Sequence, residues 1–351
     1  MNGGVRSVAS APAGTGPGTA RARSTLARPA LWLWVVVVVA GLFVPAVLKS
    51  SFYLGMLING LTLGIAAVGI GFLMYQCGLV MFGVAAFIGL PVYLLGIASM
   101  HLSLGVNAAV LFALVGSVVF AAVVGALVVR ARPLPFAMLT LALAQMLKST
   151  TTLQAMRPVT GGDDGLTMTF NGNFVGLTQA QLANSASFWP LAWIALCAAL
   201  TLVWVATHSR FGQVLRATQA NEERMRFSGF DTYLPRLAAF IVASFIVALS
   251  GTLIGLNSAF ASPELLDFAT GGRPLVAMLV GGASTVAGPL LGALLYTWGQ
   301  DAFGATGHLE LLTGIGVVLV IAAFPTGASG FLMQLATRLR AARAKGGDAA
   351  R

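Results

Sequence analysis

Acids and bases stand closely interleaved in the stretch Asn221-Glu222-Glu223-Arg224-Met225-Arg226-Phe227-Ser228-Gly229. Their order predicts a two-turn helix. Asn221 is a good N-cap, Glu222 and Glu223 meet the positive helix start, and Arg224 and Arg226 lie towards its negative end. Gly229 supplies the left-handed position that follows such a helix. A helix this short is unstable alone, and Met225, Phe227 and Phe230 offer apolar contacts for a partner surface. The chemistry is therefore that of a docking contact, with a solvated connector as the alternative.

Bond-making chemistry has no comparable candidate. No G-x-x-x-x-G-K-[ST] sequence is present to cradle nucleotide phosphates, and no H-E-x-x-H, paired cysteines or Cys/His cluster marks a metal site. His101, His208 and His308 are far apart and read as interfacial. Cys77 and Cys197 lie in or beside apolar segments and read as free thiols. Five polar residues sit in apolar runs: Asn59, Thr62, Gln76, Thr140 and Gln145. They are candidates for lining a solute path, or equally for hydrogen-bonding to neighbouring helices.

The elements that must carry these residues follow from composition. Of 351 residues, 58% are hydrophobic and only 9% charged, where a soluble domain carries roughly a quarter charged. A soluble enzyme, a disordered chain and a disulfide scaffold are excluded. The apolar runs are long and continuous, so the expected class is an all-α integral membrane protein with lipid as its surroundings. The net charge of +10 does not indicate nucleic acid, because no Asp or Glu precedes Asp163 and the bases edge the apolar runs. That is the pattern of topology signals, which favour Lys and Arg on the cytoplasmic side.

Residues 1–29 carry almost no large apolar side chain and read as a disordered cytoplasmic tail. A transmembrane domain follows over 30–335, then a basic cytoplasmic tail over 336–351. Apolar runs fall at 31–48, 52–74, 78–100, 105–129, 134–153, 187–207 and 236–257, with a last span near 310–324. The tract 270–304 must cross twice to keep both tails inside, as two short or broken helices turning near Gly281-Gly282. About ten segments result, with a long external loop at 154–186 and a long cytoplasmic loop at 208–235. Lys148 is expected to snorkel at the outer end of the fifth segment, Arg273 to start a helix, and Asp301 and Glu310 to flank an external turn. The first six segments hold no carboxylate, so a coupling ion has little to bind and the energy source is expected on another polypeptide.

Four stretches in order resemble the permeases of branched-chain amino acid ABC transporters, and specifically the LivM-like kind. Gly212-Gln213-Val214-Leu215-Arg216-Ala217 through Asn221-Glu222-Glu223-Arg224 to Gly229 resembles the family's coupling segment. Arg132 with Phe136-Ala137-Met138-Leu139-Thr140-Leu141-Ala142 is similar to its R-x-x-x-[FL]-A-[MI]-x-T-L-A stretch, and Thr160-Gly161-Gly162-Asp163-Asp164-Gly165-Leu166 to its external T-G-G-x-x-G-L motif. Gly281-Gly282 followed by Gly288-Pro289-Leu290-Leu291-Gly292-Ala293 resembles its broken-helix signature. The chain departs from the pattern at Met81, Val84 and Pro91, where the family usually has Ser, His or Gln, and Gly. This implies a more apolar path if those positions face it. Gln219-Ala220 stands where Arg-Glu is frequent, so particular salt bridges to an ATPase differ here.

The resemblance implies a type II-like importer subunit of a bacterial inner membrane, with no cofactor of its own. A second permease subunit would complete the path, two cytoplasmic ATPases would bring ATP-Mg, and an external or periplasmic binding protein would deliver solute. A secondary carrier working without an ATPase is the alternative. The solute is left open among branched-chain amino acids, amides, urea and small aromatic acids.

Overall fold

The structure is a computed structural model that describes residues 39–48, 50–282 and 285–304, with the single positions 314, 315, 327 and 330. The tails, residues 31–38 of the run 31–48, nearly all of the span near 310–324 and Glu310 lie outside the described residues. The chain divides between Val44 and Pro45, and the elements named here belong to the second part.

Helix α1 (Ser51–Cys77) stops where Gly78 turns left-handed at φ 66° and returns its N–H to Met74 O. Helices α2 (Val84–Met100), α3 (Val106–Val128) and α4 (Pro133–Thr152) follow, the last opening on a proline at a position that needs no N–H. Asn184 caps α5 (Ser185–His208), and Ser209 caps α6 (Arg210–Ala220). The short α7 (Glu222–Phe227) leads to α8 (Tyr233–Ser258). Asp267 caps α9 (Phe268–Gly281), which precedes α10 (Gly288–Gly304).

Among the described residues four helices, α1, α3, α5 and α8, are long and apolar enough to cross a membrane, and α2 is a shorter apolar helix. At 14 and 17 residues, α9 and α10 fall short of the roughly 20 that a full span takes.

Burial sorts the helices. Helix α1 is apolar all round and 78% buried across its most apolar stretch, so it is the centre of the bundle. It packs against α5, α8, α9 and α10. Its glycines set the spacing: a Cβ at Gly64 or Gly71 would press on Leu290 or Pro289 of α10, and one at Gly69 would reach Ala243 O of α8. Helix α3 is only 28% buried over the corresponding stretch. Leu111, Val115, Val119, Val123 and Leu127 are exposed at every fourth position, an apolar stripe suited to lipid.

The pair α9 and α10 touch through backbone. A Cβ at Gly292 would collide with Ala277 O and Gly281 N, and one at Gly281 with Gly288 O.

The two ends of the bundle differ. At the end carrying 154–186, the two-residue strands β1 (Leu166–Thr167) and β2 (Phe260–Ala261) pair antiparallel. This small ladder joins two loops of an otherwise helical fold, which keeps to the all-α expectation. It arises because two loops meet there and satisfy each other's main-chain groups. Asn257 Nδ2 also donates to Leu182 O at 3.0 Å, and Lys148 pairs with Asp267 at 3.0 Å. The opposite end gathers α6, α7, the start of α8 and Arg130, whose guanidinium stacks 5.2 Å over the Tyr233 ring.

Candidate functional site

Helix α7 is short and held by its ends. Asn221 Oδ1 accepts the Arg224 N–H at 2.9 Å, and Gly229 takes φ 81° beyond its last turn. Glu222 Oε2 pairs with Arg236 Nη1 at 2.9 Å, while Thr232 donates to Glu222 Oε1 at 3.3 Å. Arg236 belongs to the first turn of α8 and is only 9% exposed. A charge that buried needs its partner, so α7 is clamped to the root of a core helix. Tyr233 adds a bond from its hydroxyl to Ala126 O at 2.9 Å, tying the same root to α3.

Helix α6 connects the clamp to α1 and α5. Gly212 is buried, and a Cβ there would press on Ala206 O and Thr207 O. Arg216 donates to Thr207 O at 3.2 Å, and Gln219 reaches Met74 O at 3.5 Å. Ala217, Glu223 and Arg224 are exposed. So is Phe227, at 91%, with Phe230 at 54%. No side chain of α7 is fully buried. Helix α7 is thus capped and clamped through Glu222 while Phe227 stands in the open.

The second feature is a cleft of about 320 Å³ between α1, α8, α9 and α10, in the half of the bundle nearer the 154–186 end. Asn59 and Thr62 line it together with Ser250, Thr270, Thr297 and Gln300. The hydroxyls are already committed. Thr62 donates to Ile58 O and Asn59 O, Ser250 to Thr62 O at 2.7 Å, Thr270 to Glu264 O and Thr297 to Ala293 O.

The other three sequence candidates lie elsewhere. Thr140 is fully buried, accepts the Gly83 N–H at 3.3 Å and donates to Ala137 O. Its hydroxyl seats Gly83, where a Cβ would strike Thr140 O, so it serves a helix contact. Gln76 is wholly enclosed, and neither its Oε1 nor its Nε2 has a hydrogen-bond partner among the described residues. Gln145 is half-buried on α4, outside the cleft. Met81 and Val84 are fully buried and do not line the cleft either.

The T-G-G-x-x-G-L motif is a folded turn. Thr160 donates to Thr151 O at 2.7 Å, and Gly161, Gly162 and Gly165 all take positive φ. A Cβ at Gly165 would press on Ala261 O at 2.5 Å, so the glycine allows β1 to begin against β2. Gly281, Gly282, Gly288 and Pro289 form the α9–α10 crossing and its seat on α1.

Among the described residues no group of three or more His, Cys, Asp or Glu could hold a metal ion. The model of the permease component of branched-chain amino acid transport systems matches residues 52–324. The chain belongs to this permease family. It is 25% identical over 299 residues to the high-affinity branched-chain amino acid transport system permease protein LivH of Salmonella typhimurium, covering 80% of this chain and 96% of that one. Its identity to LivH of Escherichia coli is 26% over the same lengths. These relatives bear the name LivH rather than LivM. No solved structure matches the chain.

For a permease, the residues that sequence reasoning missed are Arg273 and Asp301. Both read as boundary residues from sequence, yet both line the cleft from within helices α9 and α10, and both are exposed. Lys148, expected at the headgroups, has a specific partner in Asp267.

Proposed function

We propose that this permease is the membrane subunit of an ATP-driven importer, moving a branched-chain amino acid or a related small amphiphilic solute. The observation that carries the reading is α7, with its exposed Phe227 and its Glu222–Arg236 clamp. An ATPase pressing on α7 would act through Arg236 on α8, and α8 lines the cleft with Ser250 and Ile254. Force applied at one end thus has a short, packed route to the place where a solute would sit.

In this reading about ten segments cross a bacterial inner membrane, both termini are cytoplasmic, and α7 faces the cytoplasm. The α9–α10 pair contributes two short helices to the path. A second permease subunit completes that path, two ATPases supply ATP-Mg chemistry, and an external binding protein delivers solute to the 154–186 end. The chain itself carries no cofactor and makes no bonds.

The test is uptake in proteoliposomes containing the permease pair, its ATPases and its binding protein. ATP inside the transport reaction should drive accumulation, and omitting the ATPases should abolish it. Accumulation by the permease alone under an ion gradient would overturn the importer reading in favour of a carrier.

A further inference from the structure

Charge inside a membrane segment is expensive and is usually found facing a cavity or pathway. Arg273 of α9 and Asp301 of α10 are the charged residues that line the cleft between α1, α8, α9 and α10. Neither belongs to an ion pair among the described residues, whose three pairs are Lys148–Asp267, Arg157–Asp164 and Arg236–Glu222. The neighbouring polar groups leave these two to act. The hydroxyls of Thr62, Ser250, Thr270 and Thr297 all donate to main-chain carbonyls, and Gln300 Nε2 donates to the Tyr296 hydroxyl at 3.2 Å. Asn59 alone among the cleft amides has a side chain without a hydrogen-bond partner among the described residues. The remaining wall is apolar, formed by Met56, Leu63, Ala66, Ile88, Ile254 and Leu265.

We infer that this cleft binds the solute as a zwitterion, Arg273 taking its carboxylate, Asp301 its ammonium group, and the apolar wall its aliphatic side chain. A planar guanidinium suits a carboxylate bidentately, and hydrogen bonds between ionised groups are about twice as strong as neutral ones. A solute bearing both charges would give Arg273 and Asp301 a partner each, which neither has in an ion pair among the described residues. The same logic excludes solutes with one charge or none, since each would strand a residue of the cleft. Amides, urea and simple carboxylic acids are therefore poor occupants. The volume, about 320 Å³, lies at the lower end for small-molecule sites and matches a small amino acid better than a peptide.

This inference rests on the permease reading but is tested apart from it, by occupancy rather than by uptake. Asn59→Cys places an accessible thiol in the cleft, while the native Cys77 and Cys197 are buried. The purified permease–ATPase complex is labelled with a polar maleimide in the presence of leucine, leucinamide or isovalerate at millimolar concentration. Leucine should slow labelling at least about threefold, and the two singly charged analogues should not. Adding Arg273→Gln or Asp301→Asn should remove the protection, whereas Arg273→Lys should retain most of it. Co-purification of the ATPases with each variant checks that it is folded. Equal protection by all three compounds, absence of protection by leucine, or undiminished protection in both neutral variants would each overturn the zwitterion site. ATP-driven leucine uptake that persists alongside such a result would leave the importer reading standing.

Discussion

Phe227→Ala isolates the docking role of α7. The ring is 91% exposed in the chain, so truncating it removes almost nothing from the folded permease, and stability should stay within about 0.5 kcal/mol. Against an ATPase the ring would be covered. Full burial of a phenylalanine is worth about 1.5–3 kcal/mol, and each 1.4 kcal/mol is about a tenfold change in affinity. The variant should thus bind its ATPase about 10- to 100-fold more weakly. Titrating a labelled ATPase into permease-loaded nanodiscs measures this directly, and ATP-driven uptake should fall in parallel. Val175→Ala, at the opposite end and 74% exposed, is the matched control and should change neither. Unchanged affinity and uptake in Phe227→Ala would refute the argument that α7 is the covered surface.

Three further outcomes follow from named contacts. Removing the carboxylate in Glu222→Ala leaves the nearly buried Arg236 unpaired and should cost about 1–2 kcal/mol, the lower part of the range for charged hydrogen bonds, because the Glu222 side chain is 41% exposed. A double-mutant cycle with Arg236→Met, read by unfolding temperature, should show clear non-additivity. Gly292→Ala drives a methyl into the Ala277 carbonyl and Gly281 backbone, so it should destabilise by at least the 1–3 kcal/mol typical of overpacking, whereas Gly299→Ala, with open space, should be silent by the same thermal measurement. The Lys148 hydrogen bond holds the Asp267 carboxyl below the usual carboxylate range. A depressed folded value adds stability above the ordinary carboxylate pKa and loses it as pH falls through the folded one. With side chains 34% and 41% exposed, the pair is worth under about 1 kcal/mol, so Lys148→Met should lower the unfolding temperature slightly at pH 7 and not at all in strong acid.

Local grammar was legible before any coordinates. The Asn221 cap, the two acids that open α7 and the left-handed Gly229 involve only neighbours along the chain, and residue type alone specifies them. What depends on which helices cross was not. Arg273 and Asp301 are 28 positions apart and each sits near a helix end, which reads as a water boundary. They become cleft residues only because α9 and α10 are short and meet backbone to backbone at Gly281 and Gly292. Thr140 shows the converse. A hydroxyl in an apolar helix reads as a path residue until its acceptor role towards Gly83, 57 positions earlier, is known. The partner of Lys148 is equally distant, because Asp267 approaches through the loop after α8.

The ladder between β1 and β2, with the Asn257 and Lys148 contacts beside it, binds one rim of the bundle like a cord round a sheaf of rods. Tilt of α8 about that rim would be largest at its other end, where Glu222 and Ala126 hold it. Arg236 lies 22 residues from the tied end of α8 at Ser258, about 33 Å at 1.5 Å per residue, so each degree of tilt moves it by about 0.6 Å. Ser250, 8 residues from the same end, moves only about 0.2 Å for that degree. In the importer reading, a pivot about that rim would therefore move the Arg236 end of α8 nearly three times as far as Ser250, so a push at α7 would act more on that mouth than on the walls of the cleft.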